Sequence, residues 1–442
     1  MGEIEKILND ISGWVWGPWM LIALFGTHIF LTIRLGFIQR YLVKAIKLSF
    51  SKTSEGDGDV SHFGSLTTAL AATIGTGNIV GVATAIASGG PGAVLWMWLT
   101  GVFGIATKYG EAVLSVKYRV KTSDGKMAGG PMYVLERGMN CKWLAIIFAF
   151  FTAITAFGIG NMVQANSVVS LVKETFHIPQ WITGIVITIL TAAVILGGIK
   201  SIARVCEKVV PFMAIFSILG CIILLILKWE TLPQTVSLII SSAFNGQAAV
   251  GGFLGVTMKE AVRFGVARGL FSNESGLGSA PIVAAAAQTK NSVRQALVSS
   301  TGTFWDTVVV CALMGLVFVN SGVWTQGLNG ASLSKAAFEG LPTIGPIILT
   351  VCLFTFVFST ILGWSYYGEK ACEYLWGSKT IHSYRILWVI AVMVGSVLTL
   401  PIVWSLADIA NAFMAIPNLI SLWALHHVII QETREHINNI DE

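Results

Sequence analysis

The sequence predicts an all-α integral membrane protein with eleven transmembrane helices. Of its 442 residues, 54% are apolar and only 12% are charged, and the mean hydropathy is +0.74. Soluble domains carry about 25% charged residues, so this chain is too apolar to face water on all sides. Its apolar residues form continuous runs of about 20 residues, the length that a helix needs to cross a membrane. Because these runs do not alternate with polar residues, helices are favoured over a barrel.

The predicted helices cover most of the chain and leave no room for a soluble catalytic domain, so residues 1–442 are predicted to form one transmembrane domain. Acidic residues near the start argue against a cleavable signal peptide, and the first apolar run is expected to remain as a membrane helix. In chain order, the predicted spans are 13–33, 64–88, 93–116, 143–171, 180–198, 208–228, 252–288 (interrupted), 296–320, 346–369, 386–400 and 404–430.

The basic residues predict the orientation of the chain. With these spans, twenty of the 28 Lys and Arg residues fall in loops on one side of the membrane and four on the other. Lys and Arg collect in cytoplasmic loops, so the N-terminus is expected outside and the C-terminus inside a cell membrane. The net charge of +5 therefore has a topological explanation and does not indicate a nucleic acid partner.

Two predicted spans contain breaks rich in glycine and polar residues. They lie within Thr67–Gly81 and Arg268–Pro281, and both contain the pattern G-x-G-[N/S], at Gly75–Asn78 and Gly276–Ser279. Glycine costs about 1 kcal/mol relative to alanine inside a helix. A polar, irregular backbone at membrane depth must also be surrounded by protein or water. The breaks are therefore expected to line a site in the protein interior.

The breaks stand at the start of two units of five spans, 64–228 and 252–430, and 13–33 is an additional helix. Units with an odd number of spans must be inverted relative to each other in a membrane. One such break alone is better explained as a small-residue packing face. Paired broken helices at matching positions of inverted halves are typical of the binding sites of secondary transporters.

Other classes of protein have less support in the residues. The seven histidines are scattered, and the chain has neither a GxSxG motif nor a His-rich metal cluster, so an enzyme is not predicted. The six cysteines lack CxxC spacing and mostly lie in apolar runs, which favours core packing. A channel remains an alternative, although channels usually repeat their filter through oligomers.

Three stretches of the chain resemble signatures of the alanine or glycine:cation symporter family, namely Gly89–Gly104, Ala248–Phe253 and Gly269–Pro281. The family more often has Phe where Leu95 stands and Ala where Ser275 stands. The resemblance implies sodium-driven uptake of alanine and glycine, with sodium as the co-transported ion and no cofactor. It also implies the five-plus-five inverted-repeat fold of the bacterial leucine transporter.

The implied substrate, a small amino acid, is a zwitterion. Unwinding a helix frees backbone N–H groups, so Gly75–Gly77 is expected to hold the carboxylate. Carbonyls at Phe271–Glu274, with Asn273, are expected to accept from the ammonium, and Trp364 to close the pocket around a small side chain. The expected substrate-binding residues are Thr73, Gly75, Thr76, Gly77, Asn78, Gln164, Phe271, Asn273, Gly276, Leu277 and Trp364.

The implied sodium ion prefers hard oxygen donors. By analogy with the leucine transporter group, it is expected between spans 64–88 and 346–369. The expected ligands are the carbonyls of Ala71 and Ile74 and the hydroxyls of Ser359 and Thr360. From the residues alone, hydrogen bonds from these hydroxyls to their own helix are an equally good explanation.

Charged residues within predicted spans are functional hypotheses by default. Arg268, Glu274 and Asp306 are expected to form gate ion pairs that break when access alternates. If one of these acids carries a proton, the protein is instead a proton-coupled amino acid symporter, which remains the alternative. Lys108 and Glu111 are three residues apart on one helix and are expected to pair.

Overall fold

The structure is a computed structural model that describes residues 3–51, 56–245, 257–398 and 401–439. It is 84% helical, as the composition predicts. The stretch Ala248–Phe253 and the predicted start of the interrupted span, 252–256, lie outside the described residues. Within the described residues, the only strands are β1 (Val120–Lys121) and β2 (Met127–Ala128), which pair as a short antiparallel hairpin.

The helices follow one another closely along the chain. The N-terminal half contains α1 (Glu3–Val15), α2 (Pro18–Arg34), α3 (Leu42–Ser49), α4 (His62–Thr73), α5 (Val82–Gly89), α6 (Ala93–Lys117), α7 (Pro131–Tyr133), α8 (Lys142–Phe157), α9 (Val163–Phe176), α10 (Gln180–Ile195), α11 (Gly198–Leu227) and α12 (Leu232–Asn245). The C-terminal half contains α13 (Met258–Asn273), α14 (Pro281–Ala284), α15 (Ser292–Thr303), α16 (Ala312–Ser321), α17 (Gly330–Phe338), α18 (Ile344–Trp376), α19 (Ile381–Val397), α20 (Pro401–Ala424) and α21 (His426–His436).

Single turns of other helix types join some of these elements. The π-helical turns are Gly77–Gly81, Val134–Gly138, Gly158–Met162 and Phe304–Cys311. The 3-10 turns are Ile38–Tyr41, Trp229–Thr231, Val323–Gln326, Ser378–Thr380 and Ile437–Asn439. Inserted π turns are frequent at functional sites, and the first of them lies at the first predicted break.

Many of the helices are long and apolar enough to cross a membrane. Among the described residues there are seven such helices, and one bent pair makes an eighth. The seven are Glu3–Arg34, Lys142–Phe176, Gly198–Leu227, Ser292–Ser321, Ile344–Trp376, Ser378–Val397 and Ile402–Ala424. The bent pair is His62–Thr73 with Gly77–Gly89. The prediction of an integral membrane protein built from apolar helices is confirmed.

Several helices extend beyond the apolar spans predicted for them. α11 begins at Gly198 rather than near 208, and α18 runs from Ile344 to Trp376 rather than from 346 to 369. The predicted span 404–430 is divided between α20 and α21. Hydropathy marks only the apolar part of a helix, because backbone hydrogen bonding continues into charged segments outside the lipid.

The most buried helices lie at the centre of the bundle. Nearly every residue of α4 and every residue of α15 is buried, and both are rich in small residues that allow close helix packing. α18 packs against α4, α8 and α11, and α6 packs against α13 and α15. α10 and α11 instead expose apolar side chains such as Ile189 and Phe212. Both breaks therefore lie in an interior lined by protein.

Candidate functional site

The first break separates α4 from α5, whose axes differ by 52°. After α4 the backbone of Ile74 is extended (φ −76°, ψ 95°), and the chain resumes as the π turn Gly77–Gly81. A Cβ at Gly75 would lie 2.6 Å from the hydroxyl oxygen of Thr360, so any other residue here would displace this hydroxyl from its place beside the break. Oδ1 of Asn78 accepts a 2.9 Å hydrogen bond from the N–H of Gly75. This bond satisfies a donor that the unwinding frees.

The second break follows α13, where the backbone enters the left-handed region. Glu274, Gly276 and Gly278 have φ values of +56°, +89° and +87°, a conformation that glycine adopts without strain. Oε1 of Glu111 accepts from the N–H groups of Gly276 and Gly278, both at 3.1 Å. Glu111 and Lys108 do not form a hydrogen-bonded ion pair among the described residues, where Nζ of Lys108 and Oε2 of Glu111 are both without a hydrogen-bond partner.

The first break lies against the last turn of α13, where the second break begins. The position that a Cβ of Gly77 would occupy is 3.4 Å from Cα of Ser272 and 3.5 Å from the ring of Phe271. Gln164, on α9, reaches the same place, where its Oε1 accepts from the N–H of Thr76 at 3.4 Å. The structure thus brings together five of the predicted substrate-binding residues, namely Gly75, Thr76, Gly77, Gln164 and Phe271.

Three other residues of the predicted set make hydrogen bonds elsewhere. Asn273 folds back on its own break, and its Oδ1 accepts from the N–H of Ser275 at 2.9 Å. Thr73 donates to the carbonyl of Ala69 in its own helix at 2.9 Å. The Asn78 amide donates to Asp306 at 2.6 Å. These side chains shape the breaks, and their polar atoms are already occupied.

The remaining residues of the predicted set lie around the second break. Nε1 of Trp364 donates to Oε1 of Glu274 at 3.0 Å, and Ser279 donates to the other oxygen of that carboxyl group. The carbonyl of Gly276 accepts from the amide of Asn418 at 2.9 Å. Leu277 is buried beside it. The indole of Trp364 therefore connects α18 to the unwound segment.

The predicted sodium ligands are only partly brought together. Oγ1 of Thr360 lies 3.2 Å from the carbonyl oxygen of Ile74, close enough for both oxygens to contact one cation at about 2.3–2.6 Å, as calcium ligands do. Both predicted hydroxyl ligands also donate at 2.9 Å to the carbonyl of Phe356 in their own helix, and the hydroxyl of Ser359 contacts the sulfur of Met213 on α11 as well. Ala71 is fully buried in the last turn of α4.

The three predicted gate residues have separate partners. Arg268 and Asp408 line one cavity of about 180 Å³, with the guanidinium 5.9 Å from the ring centre of Phe271. Asp306 accepts hydrogen bonds from Asn78 and Ser272. Sequence reasoning missed Asp408 as the acid that shares a cavity with Arg268 and Glu111 as the acceptor at the second break. Both residues are acids within predicted apolar spans, and this position is the signal from which a functional role could have been predicted.

The segment that leads into the first broken helix is joined, at one end of the bundle, to the segment that follows the second. Val60 and Ala287 form a parallel β-bridge, and the N–H groups of Asp59 and Val60 both point to the carbonyl of Ala286. Arg119, next to the β-hairpin, donates to four backbone carbonyls at 2.6–3.1 Å, those of Asp57, Ala285, Ala287 and Thr289. Burial lowers the pKa of Arg119, and the charges of Asp57 and Asp59 partly offset this. These hydrogen bonds tie the two segments together at this end of the bundle.

A multi-helix membrane protein whose two broken helices meet at an interior polar site has the features of a secondary transporter. The whole chain, residues 1–442, matches the model of the Sodium:alanine symporter family. The chain therefore belongs to this family, whose members are transporters rather than enzymes.

Individual relatives align with this chain over nearly their full length. The chain is 53% identical to the sodium/alanine symporter AgcS of Methanococcus maripaludis, over 98% of this chain and 97% of the relative. It is 51% identical to an uncharacterized transporter of Haemophilus influenzae, over 99% and 97%. It is 34% identical to the amino-acid carrier protein AlsT of Bacillus subtilis, over 98% and 92%.

Proposed function

We propose that the chain carries alanine and glycine into the cell together with sodium, by exposing one central site alternately to the two sides of the membrane. The observation that carries this proposal is the contact between the two broken helices, next to the neighbouring oxygens of Ile74 and Thr360. Membership of the Sodium:alanine symporter family and the name of the 53% identical relative support the choice of ion and substrate.

In the proposed substrate site, one broken helix binds the carboxylate of the substrate and the other binds its ammonium group. The substrate carboxylate binds at the backbone of Gly75–Gly77, where the amide of Gln164 adds a side chain that can rotate away from Thr76. The substrate ammonium faces the carbonyls near Phe271 at the end of α13. Trp364, fixed by Glu274, limits the room for the substrate side chain. Asn78 and Asn273 act here by holding the breaks in shape.

The proposed sodium site uses the carbonyl of Ile74 and the hydroxyl of Thr360, with the carbonyl of Ala71 and Ser359 as further donors. The last turn of an interrupted helix leaves carbonyl groups without partners, and these suit a monovalent cation. The ion then joins α4 to α18 at the place where the substrate carboxylate binds. Sodium and substrate would therefore stabilise the same closed arrangement, which is the physical basis of their coupling.

We propose eleven membrane crossings arranged as one additional helix and two inverted repeats of five. To the eight spans found by length and composition, this adds α6, α10 and the broken helix α13–α14. The excess of basic residues in alternate loops supports an N-terminus outside and a C-terminus inside the cell membrane. On this orientation, the end of the bundle at Arg119 faces the cytoplasm.

The deciding experiment is uptake of radiolabelled alanine into proteoliposomes that contain the purified protein. We expect accumulation with an inward sodium gradient and none with an equal potassium gradient. Accumulation against the alanine gradient also excludes a channel. No sodium-dependent uptake of alanine or glycine would overturn the proposal.

Proton coupling is the second candidate, favoured by the burial of Glu274 within the second break, where it is only 4% exposed. On that mechanism an inward proton gradient drives uptake without sodium. Glu274→Gln would then abolish concentrative uptake and leave alanine exchange intact. Uptake driven by sodium alone, at the same rate with or without a proton gradient, excludes this candidate.

A further inference from the structure

Two adjoining cavities lie where α8 begins and α18 ends, away from the two breaks. The larger, about 790 Å³, includes Glu136 and Lys142 in its wall. The smaller, about 500 Å³, is lined almost entirely by apolar side chains, among them Leu387 on α19. Phe150 and Trp376 line both cavities, so a polar compartment continues into an apolar one.

The position of these cavities matches the boundary of a membrane. Lys142 is the first residue of one membrane-spanning helix and Trp376 the last of another. Around the apolar compartment, Phe150 and Leu387 are 47% and 56% exposed, and Trp376 is 61% exposed. Exposed tryptophans at helix ends are typical of the headgroup region. The apolar compartment therefore opens towards lipid tails and the polar one towards headgroups.

The polar compartment contains an unusual carboxyl group. Glu373 is 6% exposed, and its Oε2 accepts from Lys370 at 2.7 Å. Its Oε1 is buried without a hydrogen-bond partner among the described residues. A buried acceptor left unpaired is costly, and more so when it is charged. Glu373 also lines the larger cavity, so a turn of its side chain would bring this oxygen to a donor on a bound molecule.

A second carboxylate and one cation complete the compartment. Glu136 accepts from the hydroxyl of Tyr374 at 2.7 Å, and its Oε1 lies 3.7 Å from Nζ of Lys142. The side chain of Lys142 is 72% exposed, so it can contact an anion without leaving this position. The compartment thus offers two carboxylates to a cation and one ammonium to an anion.

We propose that the two cavities bind a phospholipid with an ethanolamine headgroup. Its ammonium lies at Glu373 and Glu136, its phosphate beside Lys142, and one acyl chain along Phe150 and Leu387. Phosphatidylglycerol could donate from its hydroxyls, but it would bring a net negative charge to two carboxylates and has no cation to place between them. A choline lipid has the charge but no N–H to donate. A soluble zwitterion would leave the apolar compartment empty.

The test is native mass spectrometry of the detergent-purified protein with phosphatidylethanolamine, phosphatidylcholine and phosphatidylglycerol of identical acyl chains, in equal amounts. We expect one ethanolamine lipid to be retained per chain, with apparent affinity roughly tenfold above the choline lipid, since a hydrogen bond to a charged group is lost. Equal retention of the three lipids overturns the proposal. So does competition by soluble glycerophosphoethanolamine at similar concentration, because the acyl chain would then contribute nothing.

Variants locate the site on the protein. We expect Glu373→Gln to abolish the preference for ethanolamine over choline, and Ala153→Phe, which fills the apolar compartment, to reduce retention of both. The matched control is Glu339→Gln, an exposed acid before the other end of α18, which should retain the wild-type preference. An unchanged preference in Glu373→Gln together with unchanged retention in Ala153→Phe contradicts the proposal. Both variants are assayed by the lipid that they retain, so the results do not depend on whether the protein transports alanine.

Discussion

The indole N–H of Trp364 donates to the carboxylate of Glu274 at 3.0 Å, and both side chains are buried. The bond joins α18, which carries the proposed sodium ligand, to the unwound segment after α13. The ring of Trp364 also packs edge-on against Tyr367, with 5.4 Å between ring centres. Trp364 is thus held by both Glu274 and Tyr367, and on the proposed function this fixed ring would restrict the size of the substrate side chain.

Removing the hydroxyl of Thr360 should weaken sodium binding. We expect Thr360→Ala to raise the sodium concentration for half-maximal alanine uptake by about tenfold, because one oxygen that faces Ile74 is lost. The control is Thr350→Ala in the same helix, where a buried hydroxyl donates only to the carbonyl of Pro346. Equal shifts in the two variants would remove Thr360 from the ion site.

A single methyl group at the first break should block transport. A Cβ at Gly75 would lie 2.6 Å from the Thr360 hydroxyl and 3.4 Å from Oε1 of Gln164. We expect Gly75→Ala to abolish alanine uptake in proteoliposomes. Gly81→Ala is the matched control, because no atom lies within 4 Å of its added Cβ. The steric argument fails if both variants transport at the same rate.

The two segments tied together by Arg119 should separate more often without this side chain. We expect Arg119→Gln to raise hydrogen exchange at the amides of Asp59 and Val60, which donate to Ala286, by at least about tenfold. The measurement is hydrogen–deuterium exchange of peptides that cover 56–62. Lys121→Gln, an exposed change on β1, should leave this exchange unaltered. Unchanged exchange in Arg119→Gln would show that the β-bridge alone holds the two segments together.

The contact of α21 with the bundle should depend on pH. Glu432 accepts from Lys117 and from Ser292. Burial would raise its pKa, but these two bonds lower it below the ordinary value of 4.5. A carboxyl group with a lowered pKa stabilises the folded state above its unfolded pKa, and this contribution is lost as the pH falls through the folded pKa.

Glu432→Gln is therefore expected to lower the Tm of the purified protein at pH 7, with the difference from wild type disappearing below about pH 4. Thermal unfolding across this pH range is the measurement. Glu435→Gln, one turn away and exposed, should show little effect at any pH. A Tm difference that persists undiminished at pH 3 would contradict the assignment of the effect to the ionised carboxylate.

The glycine pattern located both breaks correctly, since unwinding a buried helix demands residues that tolerate close approach and positive φ. The glycine pattern does not show which groups the polar side chains near the breaks form hydrogen bonds with. Asn273 could be placed at the break from its position, but its turn back towards Ser275 depends on packing against α6. Arg268 lies beside Asp408, a residue 140 positions later in the chain, and only the folded bundle brings these segments together. Helix ends were also beyond prediction, because hydropathy does not mark them.

Arg119 contacts its four partners only through main-chain oxygens. The side chains of Asp57, Ala285, Ala287 and Thr289 take no part in these hydrogen bonds. Homologous chains can thus exchange the partner residues for others that fit the same space and keep the contact, whereas replacement of Arg119 removes all four bonds together. At this end of the bundle, substitutions of the four partner residues should therefore be tolerated far better than a substitution of Arg119.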